Sequence, residues 1–172
     1  MPELLILRHA KSDWAANAPT DFERPLNARG ARDAERMGAW LEKQGPPPEY
    51  VVASPAERAR QTVLRVCRAI AFPVEDIVWD KRVYEASLVT LQGVLADIPE
   101  HAKSAMVVGH NPGLELLTEH LSGATIIPPQ EQKTFPTAAL AVLSFDCPWN
   151  GMSEGCAKLL SLSRPREIPE QD

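Results

Sequence analysis

Short, uninterrupted apolar runs recur along this chain, each followed by a segment with helical periodicity. Leu4 to Leu7, Tyr50 to Ala53 and Ala105 to Val108 are such runs. Four or more apolar residues without polar alternation are the mark of a strand covered on both faces. Between them, Ala28 to Lys43 reads as a helix, with Ala34, Met37, Gly38 and Leu41 on one face and Gly45 at its stop. Ser54-Pro55-Ala56-Glu57 has the form of a capping box with Pro at the first helical position, opening a helix to about Ile70. Leu88 to Asp97 is helical, and Asn111-Pro112 can cap and start a helix through Leu121. Ile77 to Trp79 reads as an edge strand, and Ala139 to Phe145 and Ala157 to Leu162 as late strands. Such alternation implies an α/β layered domain with a mostly parallel sheet, and the short link between the last two strands adds one antiparallel member. The 172 residues fit one domain over 1–163, with a polar, Pro-containing tail over 164–172 that is expected to fray.

Charge narrows the function. The formal net charge is -5, which speaks against nucleic acid and anionic membrane as partners. The distribution is uneven: residues 1–86 hold 13 basic and 13 acidic residues, and residues 87–172 hold 5 and 10. Ten of the 12 Arg precede Val83, so the first half can hold a local anion site, because Arg offers a rigid fork of donors. The acidic second half is expected to bias which phosphorylated partners approach. Cys67, Cys147 and Cys156 are odd in number and lack CxxC spacing, which fits a reducing, cytoplasmic setting. The first residues do not form a signal-like segment, and no 18-residue apolar run occurs.

Three apolar runs end in polar tips: Arg8-His9, Ser54-Pro55 with Arg58 just beyond, and Gly109-His110-Asn111. Open α/β sheets bind ligands beyond the carboxyl ends of their strands, so two His and two Arg are expected to converge. Two guanidiniums suit phosphoryl oxygens, one imidazole can attack phosphorus, and a second can stabilise charge on the equatorial oxygens. Competing signatures are absent from the sequence. There is no GxxxxGK[ST] loop, no Cys has Arg six residues on, and the His residues at 9, 101, 110 and 120 form no HxH or HxxxH pair. Neither a metal nor a cofactor is expected.

Leu7-Arg8-His9-Ala10-Lys11-Ser12 resembles the RHG-type signature of the histidine phosphatase superfamily, which has the phosphoglycerate mutase-like fold. Arg24-Pro25-Leu26, Ser54 to Thr62, Tyr84-Glu85-Ala86, Val108 to Glu115 and Phe135 to Ala139 resemble the successive motifs of its SixA-type phosphohistidine phosphatase branch. The resemblance implies a three-layer α/β/α sandwich and a phosphatase that works through a phosphohistidine intermediate without metal. It implies His9 as nucleophile, Arg8 and Arg58 as phosphoryl clamps, His110 as the completing group and Glu85 as the acid. Mutase-like members carry Asn six residues after the nucleophile; Ala15 stands there, which argues against mutase activity. The nucleophile must be neutral at its attacking nitrogen, so its other nitrogen should donate to a backbone carbonyl, and His110 should be cationic with bound phosphate supporting its charge.

Other residues have blander readings. Ser54 reads as a helix cap, Lys11 and Ser12 as pocket-lining or solvent-facing, and Asp13, Asp21 and Arg24 as loop-stabilising charges. Cys67 falls in the core pattern, Trp14 suits a rim, and His101 and His120 have no evident role. The favoured substrate is phosphohistidine on a signalling protein. The alternatives are a small phosphorylated metabolite, with the same residues acting, and a non-catalytic phosphoprotein-binding module.

Overall fold

In the computed structural model, residues 1–128 and 133–170 are described. Six strands form one sheet: β1 (Glu3–Arg8), β2 (Tyr50–Ala53), β3 (Val78–Trp79), β4 (Ser104–Gly109), β5 (Leu140–Phe145) and β6 (Ala157–Ser163), in the order β3-β2-β4-β1-β5-β6. β1, β2, β3 and β4 are mutually parallel, and β5 runs against both of its neighbours, β1 and β6. This is a mostly parallel sheet with one reversed strand, as the sequence pattern predicts.

Four helices cover it: α1 (Ala28–Glu42), α2 (Glu57–Ala69), α3 (Leu88–Ala96) and α4 (Gly113–Ser122). Alternate residues of each central strand serve opposite faces. Leu5, Leu7, Val51 and Met106 pack with α1 and α2 through Met37 and Val63. Leu4, Ile6, Val52 and Val107 pack with α3 and α4 through Leu91 and Leu117. Both faces are therefore apolar, which is why the strands read as continuous runs rather than alternating ones. Cys67 is wholly buried in this core, and burial pushes its thiol up to about 12. No helix is long and apolar enough to cross a membrane among the described residues.

Three expectations need correction. α2 begins at Glu57 with Ala56 as its N-cap and no side-chain cap; the Ser54 hydroxyl accepts from the Ala56 amide and also meets His110. Asn111 does not cap α4 either: its amide donates to the Phe135 carbonyl oxygen at 2.9 Å. The segment after β6 does not fray over its described length. Arg164 is buried and donates to the Thr134 carbonyl oxygen and to Glu167, and Ile168 is buried among the α1 and α2 side chains. Composition concealed this, because one satisfied Arg and one apolar residue suffice to pin a short turn.

Candidate active site

β1 and β4 lie side by side with Arg8 paired to Gly109 at their carboxyl ends, so His9 and His110 emerge together. Their ring centroids are 5.0 Å apart. The chain then leaves for α1 on one face and α4 on the other, which opens a crevice between these two strand ends. On the far side of β4, β2 ends at Ala53, Ser54 comes next, and Arg58 follows in the first turn of α2.

His9 is only 6% exposed. Its Nδ1 lies 2.7 Å from the Ala10 carbonyl oxygen. A carbonyl can only accept, so Nδ1 carries the proton and Nε2 keeps its lone pair. Burial pushes the imidazole pKa down to about 3, and the charges of Arg8 and Arg58 act in the same direction. The loop that holds it is tightly built. The Ala10 amide donates to Thr62 Oγ1 at 3.0 Å, and that hydroxyl donates to the Arg58 carbonyl oxygen at 2.7 Å. α1 touches the same loop at Gly30, where a Cβ would stand 2.0 Å from the Lys11 carbonyl oxygen. Any side chain there would push the loop away.

Arg8 and Arg58 are both anchored from behind. Arg8 Nη1 donates to the Phe135 carbonyl oxygen at 2.9 Å. Arg58 donates to Asp21 twice, to its carbonyl oxygen at 2.8 Å and its carboxylate at 3.0 Å. The Tyr84 hydroxyl donates to the same carboxylate at 2.6 Å, and Arg24 pairs with it as well. The Tyr84 bond, helped by Arg24 and Arg58, holds the Asp21 carboxyl down at about 2. His110 is 7% exposed, and its Nε2 lies 2.8 Å from Ser54 Oγ; that hydroxyl accepts from the Ala56 amide. Burial first, then the Arg58 charge, pushes its pKa down to about 3. The protein's own residues thus keep His110 neutral. The cationic state expected from sequence would need negative charge supplied by a substrate.

Arg8 Nε, Arg58 Nε and His110 Nδ1 are buried with no hydrogen-bond partner among the described residues. With His9, these residues line one cavity of about 550 Å³. Each unpartnered buried donor costs roughly 1–3 kcal/mol, so the two guanidinium Nε–H groups beside one lone pair describe a cradle for acceptor oxygens, and His110 Nδ1 is a third donor in the tautomer whose Nε2 accepts from Ser54.

Lys11 and Ser12 line the same cavity, and Ser12 Oγ accepts from Arg24 Nε at 3.0 Å. Trp14 stands at the mouth with the Arg24 guanidinium 3.5 Å from its ring centre. Glu85 is not brought there. It is exposed, in a left-handed turn at φ 52° after a short 3-10 helix (Lys81–Val83), while its neighbour Tyr84 reaches Asp21. His101 and His120 line no part of the cavity. Sequence reasoning missed Asp21 and Tyr84 as the anchors of Arg58 and Ser54 as the partner of His110. Their pairings span 37, 63 and 56 residues, and no local pattern signals them. The cavity wall carries Lys and Arg and, among the described residues, no Asp or Glu, so the acidity of the second half does not face it. Among those residues no group of three or more His, Cys, Asp or Glu stands close enough to hold a metal.

Comparisons with known proteins agree with this geometry. Residues 4–106 match the model of the histidine phosphatase superfamily (branch 1). An uncharacterized protein of Mycobacterium tuberculosis is 32% identical over 93% of this chain and 100% of its own length. Phosphohistidine phosphatase SixA of Escherichia coli is 28% identical, covering 87% of this chain and 89% of its own. A crystal structure of the protein histidine phosphatase SixA complexed with tungstate superposes with a TM-score of 0.79 at 25% identity, covering 95% of this chain and 97% of that one.

Proposed function

This chain belongs to the histidine phosphatase superfamily (branch 1), and on that premise we propose that it hydrolyses phosphoryl groups through a phosphohistidine intermediate on His9. The observation that carries the reading is the pair of unpartnered buried guanidinium donors, Arg8 Nε and Arg58 Nε, with His110 Nδ1 beside them, around a neutral imidazole whose Nε2 lone pair is free. Nε2 attacks phosphorus, and the bond from phosphorus to the leaving group breaks. Arg8, Arg58 and His110 take the negative charge that spreads over the three equatorial oxygens. Water then attacks the phosphohistidine, releasing inorganic phosphate and restoring His9. The carboxylate of Asp21 serves by position: it points the Arg58 fork and leaves Nε available.

We infer phosphohistidine on a protein as the substrate. An alkoxide leaving group needs a strong acid, and the nearest candidates do not supply one. Glu85 is exposed away from the cavity, and Asp21 is held ionised. A phosphohistidine side chain leaves as neutral imidazole once its other ring nitrogen takes a proton from water, so its P–N bond breaks without an acid from the protein. The resemblance to SixA, named a phosphohistidine phosphatase, supports the same choice. A phosphorylated metabolite is the competing substrate. Incubation with phosphoramidate, p-nitrophenyl phosphate and a phosphohistidine peptide tests the reading. The peptide should give the highest kcat/KM, with acid-labile phosphate trapped on His9, and His9→Ala should abolish turnover while retaining phosphate binding. No turnover of any of the three, or full activity in His9→Ala, would end the proposal.

A further inference from the structure

The cavity holds more positive charge than one phosphoryl group can use. Arg8 and Arg58 suffice to clamp it. Arg24 is occupied by Asp21 and Ser12, and Arg164 by Thr134 and Glu167. Four further cations line the same wall: Lys11, Arg29, Lys133 and Arg166. Arg29 makes only a loose contact with Asp33, at 3.7 Å. Lys11, Lys133 and Arg166 form no ion pair among the described residues.

Like charges on one wall repel, so something must hold them there. The segment after β6 does this for Arg166. The Glu167 and Ile168 amides both donate to the Arg164 carbonyl oxygen, at 2.9 and 3.2 Å, and close a turn around it. Arg36 in α1 donates to the Ile168 carbonyl oxygen at 3.2 Å, and the Ile168 side chain is buried. The backbone of Arg166 is thereby fixed at the rim, while its side chain stays exposed to meet a ligand.

Resting on the phosphatase reading above, we propose that Lys11, Lys133 and Arg166 form a second anion subsite, and that favoured substrates carry another negative group close to the phosphoryl group. Acidic residues flanking a phosphohistidine supply that group on a protein, and a carboxylate supplies it on a small phosphorylated compound. A concentrated positive wall in a chain of net charge -5 draws such ligands by its local field and not by bulk charge.

The test measures affinity in the His9→Ala protein, which cannot transfer the phosphoryl group. Calorimetry compares 2-phosphoglycolate with ethyl phosphate, one carboxylate apart, and a phosphohistidine peptide flanked by Asp with one flanked by Ala. The carboxylate-bearing member of at least one pair should bind about tenfold tighter, with the advantage shrinking as salt rises. The pair that shows it identifies the source as metabolite or protein. Arg166→Glu, at an exposed position, should cut the advantage to about twofold or less. Equal affinities in both pairs overturn the subsite, as does an advantage that survives Arg166→Glu combined with Lys133→Glu. Failure of the phosphatase reading is a separate result: the unaltered protein would release no phosphate, whatever the binding preference.

Discussion

Two buried arginine regions of this molecule differ in one respect. At the strand ends, Arg8 and Arg58 each use their outer nitrogens on anchors and keep a buried Nε without a partner. At the C-terminal wall, Arg164 uses all three nitrogens: Nε and Nη2 on Thr134 and Nη1 on Glu167. Burial and charge are alike in the two places, with Arg58 6% and Arg164 7% exposed. A satisfied guanidinium stabilises the chain that surrounds it. An unsatisfied one costs stability until something completes it; Arg65 in α2 also has such an Nε, so the mark of function is the unsatisfied Nε that lines the cavity beside His9.

Substitution breaks the comparison most sharply at Arg58. Arg58→Ala should lower kcat/KM by about 10²–10³, the range for losing one charge-stabilising donor in a transition state. Its thermal stability should change little, because the lost bonds to Asp21 are offset by removal of an unsatisfied buried charge. Melting and steady-state kinetics on the same preparation check this. A large fall in melting temperature with activity retained would make Arg58 structural. Arg164→Ala should do the opposite: lose about 2 kcal/mol, or roughly 4–8 °C for a domain of this size, with a smaller effect on turnover of a single-anion substrate. If it melts like the unaltered protein, the turn that carries Arg166 is held by something other than Arg164.

The same contrast explains what could be read from the sequence. The strands were legible because both faces of each are covered, which leaves unbroken apolar runs such as Leu4 to Leu7. Arg8, His9 and His110 could be picked out because a polar residue that closes such a run stands at the carboxyl end of its strand. Ser54 misled because Ser-Pro after a strand has the form of a helix cap, and only the approach of β4 shows that its hydroxyl serves His110. Glu85 misled because the motif resemblance fixes its place in sequence, while the left-handed turn decides where it goes. Asp21, Tyr84 and the Arg164–Ile168 turn act through partners distant in sequence, a kind of information that local composition does not carry.

Acid separates the two regions as well, because the cradle contains two imidazoles and the Arg164 contacts contain none among the described residues. His9 and His110 bind protons near pH 6.5 in an unfolded chain, but at about 3 in the folded one. Between those values the unfolded chain holds more protons, so stability falls as pH falls through that window and is unaffected above it. Each imidazole adds a slope of up to about 1.4 kcal/mol per pH unit there. Asp21, held at about 2, adds its own loss below the ordinary carboxylate range, as pH falls towards its folded value. His110→Asn should therefore make the acid limb shallower between pH 6 and pH 4, by about one proton's worth of slope. Arg164→Ala should shift the whole curve down without changing that slope. Nitrogen NMR provides the direct check, because the rings of His9 and His110 should remain neutral at pH 5. An imidazolium signal from either at pH 6 would mean that burial and the two arginines do not hold that ring neutral, and from His9 it would mean that the nucleophile loses its lone pair near the pH at which it is proposed to act.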